Sequence, residues 1–212
     1  MPFSVVCISA LDGARGEDVA PAVAQALGYR LVDEEIVRQA AHEAKVDISQ
    51  VAEVEKRRSM AIRLLDSLGT NTSLATFAMA GYVPGAEAPV ESDLRGLIRT
   101  TIEEVAERGE AVIVAHAASM ALGDRSDVLK VMLTASRAAR QRTLVERGLD
   151  DKAAAKQVDK GDSNRADYLK RFYDITHESP ADYDLVLNTD RLGPEGAVRL
   201  VVEAAGAPQP AV

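Results

Sequence analysis

Short, wholly apolar runs alternate along this chain with longer stretches whose apolar residues recur every three or four positions. Residues 3–9 (FSVVCIS) form a continuous run with several β-branched side chains, which predicts a strand buried in a parallel sheet. Val19, Ala20, Val23, Ala26 and Leu27 then fall at helical spacing, which predicts a helix over 16–27 stopped by Gly28. Residues 29–33 read as a second strand, and 34–45 and 48–68 as helices. Residues 69–91 are rich in Gly, Ala, Pro and Thr without a clean period, the pattern of a long loop that covers a site. Ser92 and Asp93 offer an N-cap for a helix through Arg108, closed by Gly109. Strands follow at 111–114 and 128–134, then a helix over 136–147. A charged lead-in at 148–162 precedes a helix near 163–173. The last strand is expected at 184–188 and the last helix at 194–204, with Pro194 in its first turn. The tail 206–212 is expected to be disordered.

Five strands separated by helices predict an α/β fold with a five-stranded parallel sheet. Ligands bind such sheets outside the carboxyl ends of the strands. Those ends carry residues 9–16, Asp33, 115–119, 135–140 and 188–190. The expected organisation is one domain over 1–205, with 46–91 as a covering insertion.

Composition narrows the function classes. The 212 residues are 47% hydrophobic and 27% charged, enough for a substantial core in one domain. A net charge of −8 argues against a general nucleic-acid or anionic-membrane surface. Cys7 is the single cysteine, which excludes an intramolecular disulfide and a thiolate zinc cluster; in its apolar run it reads as a buried structural residue. No leading signal segment and no bilayer-length apolar run is present, so a cytoplasmic location is expected.

Four motifs carry candidate chemistry. The turn after the first strand can be set against the phosphate-binding loop G-x-x-x-x-G-K-[ST]. Aligned on Gly16, Leu11 replaces the first glycine, Glu17 the lysine and Asp18 the hydroxyl residue. Gly13 and Gly16 still permit a tight turn, and Arg15 can supply a cation; Glu17 and Asp18 also suit a helix's first turn through its dipole. In DKGDSNR (159–165), Asp162 and Arg165 share a helix face at i, i+3, as an acceptor-binding pair or as a local cap and ion pair. Arg137, Arg140, Arg142 and Arg147 follow the fourth strand, with Arg140 best placed to reach phosphates and Arg142 and Arg147 read as a solvated face. Asp33 ends the second strand, where it can orient a metal-bound water or a substrate hydroxyl, or cap the next helix. His116 ends the third strand on the ligand edge, and no metal-ligand spacing involves it.

Together these pieces resemble the cytidylate kinase-like family, a branch of the nucleoside monophosphate kinases. The resemblance rests on Ile8-Ser9, the turn from Gly13 to Asp18, Leu27-Gly28 and the run from Val32 to Ile36. It continues in Val112-Ile113-Val114, Arg140, the Asp159, Asp162, Arg165 series and Tyr-Asp-Leu-Val-Leu-Asn-Thr-Asp at 183–190. The chain departs from the family pattern at Arg15, where a glycine is expected, at Glu17, where a basic residue is expected, and at Ala115-His116, where the family has Gly-Arg.

The resemblance implies the three-layer sandwich of P-loop NTPases, nucleoside monophosphate kinase-like in form, with 140–162 as a lid-like segment. It implies ATP and Mg2+ as cofactors, a small-molecule nucleotide as partner, and transfer of the terminal phosphoryl group to a CMP-like pyrimidine monophosphate. Gly13, Arg15 and Gly16 would hold donor phosphates, and Asn188 and Thr189 the adenine. Arg140, Arg165 and Asp33 would serve catalysis, and Asp162, Arg165 and His116 the acceptor. No nucleic acid or membrane partner is implied, and a homodimer is left open. The alternative is a catalytically impaired member that binds a nucleotide or other anion as a sensor or partner-binding module, with Glu17 as the discriminating residue. A plain interaction protein would draw on 48–68 and its charge run over 53–58, a pattern more often a solvated helix face.

Overall fold

The computed structural model describes residues 3–33, 91–115 and 118–206. The chain divides into two compact units, Met1–Leu31 with Glu110–Val212, and Val32–Gly109. The expected segments at 34–68 and 69–90, His116 and the tail from 207 lie outside the described residues.

Strands β1 (Val5–Ala10), β2 (Arg30–Asp33), β3 (Ala111–Val114), β4 (Val128–Thr134) and β5 (Leu185–Asn188) form one sheet in the order β2-β3-β1-β4-β5. The pairings of β1 with β3, β1 with β4, and β4 with β5 are parallel, so the expected α/β sheet is the observed one. β1 is central because it can be: Val5, Val6, Cys7 and Ile8 are fully buried, and no residue there needs water on either face. Cys7 is buried within that strand and takes part in no disulfide. The chain leaves β1 for β2, on the β3 side of the sheet, and later crosses to β4 on the other side. The carboxyl end of β1 is therefore a topological switch point, where such sheets open a crevice.

Helix α1 (Gly16–Leu27) has the predicted bounds. Its apolar stripe, Val19, Ala20 and Val23, shares one core with Val6 and Ile8 of β1, Leu129, Val131 and Leu133 of β4, and Val201 of the last helix. Gly28 ends it at φ 71, with its N–H bonded back into the last turn. In the second unit, α2 (Glu91–Arg108) carries an Arg99–Glu103 pair one turn apart. Ser92 and Asp93 lie inside this helix rather than capping it. A short helix, α3 (Ala118–Ala121), follows β3.

Helix α4 (Arg137–Glu146) is capped by Ser136, whose Oγ accepts from the Ala139 N–H at 3.2 Å. The largest departure from the sequence expectation is α5 (Asp151–Tyr173), which is continuous across the supposed lead-in and capped by Asp150 instead of near Asp162. Its early turns are helical because Ala154 and Val158, four residues apart, bury against Leu144. Gly161 sits in the helix interior, a position that ordinarily weakens a helix. Here a Cβ would lie 2.5 Å from Asp12 Oδ2, so the missing side chain lets α5 cross the turn after β1. Helix α6 (Thr189–Gly206) is broken at Gly193 (φ 68, ψ 166), and Pro194 opens its second segment as expected.

Gly13 combines φ 78 with backbone contact against the Arg140 carbonyl where a Cβ would stand. Gly13→Ala is expected to destabilise the protein by about 1–3 kcal/mol through overpacking and backbone strain, read as a lowered urea midpoint. An unchanged midpoint would show that the turn does not need this approach.

Candidate phosphate site at the carboxyl end of the central strand

The turn from Leu11 to Arg15 joins β1 to α1, and its backbone polar groups divide unevenly. Four of its five carbonyls are used. Leu11 C=O accepts from Ala14 N–H at 2.8 Å, Arg15 C=O from Asp18 and Val19 N–H, and Ala14 C=O from the Thr189 hydroxyl at 3.1 Å. Asp12 C=O lies 3.5 Å from Arg140. Among the described residues the N–H groups of Asp12, Gly13, Arg15, Gly16 and Glu17 have no hydrogen-bond partner. Gly13 and Arg15 both hold positive φ, at 78° and 60°, which turns successive N–H groups to one side. These donors stand at the positive end of α1, an arrangement that suits an anion.

Arg15 adopts the left-handed conformation that a glycine would take more cheaply, and its guanidinium pairs with Glu146 and, at 3.4 Å, with Asp18. The Glu146 hydrogen bond outweighs burial and holds the Arg15 pKa above its ordinary value. Glu17 is bound to Arg147 at 2.9 Å and is 63% exposed, so its charge is directed to α4's end. Asp18 meets Arg147 at 3.0 Å. Arg147 is exposed, as the sequence reading has it, and its side chain, 30% accessible, also works as a partner of the α1 acids. Two acids in the first turn of α1 were the available signal.

Arg140 is buried and makes a two-pronged pair with Asp162, at 2.8 and 2.6 Å. Asp162 thus faces Arg140 across helices, not Arg165 along its own. On the same side of α5, Asp159 binds Arg137, with the second contact at 2.8 Å. Arg165, also buried, donates to Glu178 at 2.8 Å, to Ser9 Oγ at 2.9 Å and to Tyr183 Oη at 3.0 Å, and Tyr183 donates to Glu178. Glu178 was invisible to spacing, because it lies 13 residues beyond Arg165 in an irregular segment.

Charge in this cluster is settled by contact. Burial alone would raise the Glu178 pKa, but hydrogen bonds from Arg165 and Tyr183 outweigh it and the carboxyl is held below its ordinary value. Burial, with the bond to Glu178, pushes the Tyr183 hydroxyl up to about 12. Burial disfavours the Arg165 cation, yet Glu178 more than compensates and raises its pKa.

Thr189 is buried, its hydroxyl lying between the carbonyls of Ala14 and Thr134, so it ties the last strand to the turn. Asn188 is exposed and its Oδ1 accepts the Asp190 N–H at 3.0 Å. A cavity of about 450 Å³ opens beside the turn, bordered by Gly13, Arg15, Arg142, Glu146 and Asp190. The structure thus brings Gly13, Arg15, Gly16, Arg140, Asp162, Arg165 and Thr189 around one strand end. Asp33 is described with the second unit and His116 lies outside the described residues. For magnesium the fit is poor. Asp18, at the position of the metal-holding hydroxyl, is tied to two arginines, and no three His, Cys, Asp or Glu side chains converge among the described residues. No helix among the described residues is long and apolar enough to cross a membrane.

The Glu178 pair generates a stability test. Glu178→Gln leaves the buried Arg165 cation without its counter-charge and is expected to cost about 3 kcal/mol at neutral pH. Because the folded pKa of Glu178 is depressed, its contribution is present above the unfolded value of about 4.3 and is lost as pH falls through the folded value. Urea midpoints between neutral pH and pH 3 should therefore fall for the natural chain and change less for the variant; parallel profiles would remove Glu178 from the acid response.

Comparison with known proteins agrees with this architecture. The sequence profile of the cytidylate kinase-like family matches residues 5–191. A search of curated proteins finds no match. Among solved structures, an uncharacterized protein from Eubacterium ventriosum is similar at TM-score 0.66 and 16% identity, over 95% of this chain and 97% of that one. A shikimate kinase from Bacteroides thetaiotaomicron gives TM-score 0.49 and 16% identity, over 94% and 96% of the two chains. At 16% identity the Eubacterium ventriosum structure speaks to the fold alone. The family match spans both the turn after β1 and the last strand, and the chain belongs to the cytidylate kinase-like family.

Proposed function

We propose that the chain is a nucleotide-dependent phosphotransferase that holds donor phosphates on the turn 12–17 and passes the terminal phosphoryl group to a pyrimidine nucleoside monophosphate. The observation that carries this reading is the set of N–H groups without hydrogen-bond partners at Asp12, Gly13, Arg15, Gly16 and Glu17, at the N-terminus of α1. Their geometry is fixed before a ligand arrives, because the turn's carbonyls are held by Thr189, Arg140 and the turn itself. Preorganised donors of this kind stabilise transferring phosphate oxygens without reorganising. Arg140 adds a cation whose present partner, Asp162, is 44% exposed and can be exchanged for a phosphate. An oxygen of the acceptor phosphate attacks the terminal phosphorus as the bond to the donor's bridging oxygen breaks. The attacking oxygen is already anionic, so positioning and charge neutralisation suffice without a strong base. Magnesium would arrive with a nucleoside triphosphate, where it would neutralise phosphate charge.

The second reading is a member that binds nucleotide without transferring phosphate. It is favoured by the pairing of Arg15, Arg140 and Arg165, each with a carboxylate of the chain itself. Titration of ATP and GTP with magnesium, followed by chromatographic assay of CDP formed from CMP, separates the two. CDP formation at ordinary kinase rates is expected, and binding without product would leave the second reading standing. Glu17→Gln removes a negative charge beside the turn and is expected to tighten triphosphate binding about threefold or more. No triphosphate binding by either the natural chain or this variant would overturn the phosphate site.

A further inference from the structure

We propose that Asp190 makes this a guanine-selective site, so that the nucleotide held by the turn carries guanine in preference to adenine. The inference rests on the turn 12–17 being the phosphate site. The cavity of about 450 Å³ borders the turn through Gly13 and Arg15 and reaches Arg142, Asp190 and Gly193. Its volume is in the range of small-molecule sites, roughly 300–1,000 Å³. Thr189 bonds the turn directly, so the neighbouring residue Asp190 is held in fixed relation to it.

Asp190 is also fixed locally. Its N–H donates to Asn188 Oδ1, and one carboxylate oxygen accepts from Ser136 Oγ at 2.7 Å. The other oxygen has only the 3.4 Å contact to Arg142. A carboxylate offers about four acceptor positions, so this one keeps acceptor capacity while its orientation is set. Its side chain is 28% exposed, and that of Arg142 is 65% exposed with most of its donors unused.

This pairing of an acceptor-only group with a donor-only group is complementary to one nucleobase. Guanine presents N1–H and its 2-amino group side by side, matching the two oxygens of a carboxylate. Its O6 and N7 are both acceptors and match a guanidinium fork. Adenine and cytosine each set a ring-nitrogen acceptor next to a single amino group. A carboxylate facing that edge gains one hydrogen bond and meets one lone pair. Asp190 is thus a specificity residue.

The test uses the full chain and calorimetric titration with GDP, ADP, IDP and XDP. GDP is expected to bind about tenfold or more tighter than ADP, with IDP, which lacks the 2-amino group, between them. Asp190→Asn should bring GDP to the level of ADP and tighten XDP, whose 2-carbonyl accepts from an amide. Arg142→Ala, which leaves the Ser136–Asp190 bond in place, should weaken GDP more than ADP. Equal or tighter binding of ADP by the natural chain overturns the guanine assignment and leaves the phosphate site standing. A GDP preference that survives Asp190→Asn in a folded protein also overturns it. Failure of every diphosphate to bind overturns the phosphate site together with the inference.

Discussion

The turn from Leu11 to Arg15 has four of its five carbonyls bonded inside the protein and the amides of Asp12, Gly13 and Arg15 left over among the described residues, and the rest of the site is arranged around that imbalance. A buried backbone ordinarily pairs both kinds of group. Here Thr189 at the start of α6 and Arg140 from α4 take up the Ala14 and Asp12 carbonyls. Gly13 lets the Arg140 backbone approach the turn, and Gly161 leaves room for the Asp12 side chain. The result is a concave row of donors at a helix's positive end, built without a lysine.

Around that row the cations do not stand alone. Arg15, Arg140, Arg147 and Arg165 each have a carboxylate partner, and two of them, Arg140 and Arg165, are buried. The pairs differ in kind. Arg165 with Glu178, Tyr183 and Ser9 is an internal support beneath the strand ends, and its desolvated charges depend on one another. Arg15 with Glu146, and Arg147 with Glu17 and Asp18, are more exposed and correspondingly weaker. A phosphate can compete with such exposed carboxylates more readily than with a buried one.

Much of this was legible in the sequence, for identifiable reasons. The strands are short apolar runs, and β3 and β4 have the bounds that apolarity predicts. Gly28 and Pro194 mark the end of α1 and the second segment of α6 because backbone geometry favours them there. Residues 148–162 were less legible, since their charge hid Ala154 and Val158, the two small apolar residues that bury this stretch of helix. Partner choice was least legible. Asp162 and Arg165 share a helix face, yet one bonds Arg140 and the other Glu178, because contacts between elements outweigh an exposed i, i+3 pair worth a few tenths of a kcal/mol.

The continuity of α5 has a mechanical consequence. Asp159, Gly161, Asp162 and Arg165 sit on one uninterrupted rod, and they touch Arg137, Asp12, Arg140 and the Ser9–Glu178 cluster in turn. A rod transmits displacement along its length without needing a chain of side-chain rearrangements. The Arg140–Asp162 pair and the contact of Gly161 with Asp12 therefore share one turn of α5, and the Arg165 cluster lies one turn further along the same rod.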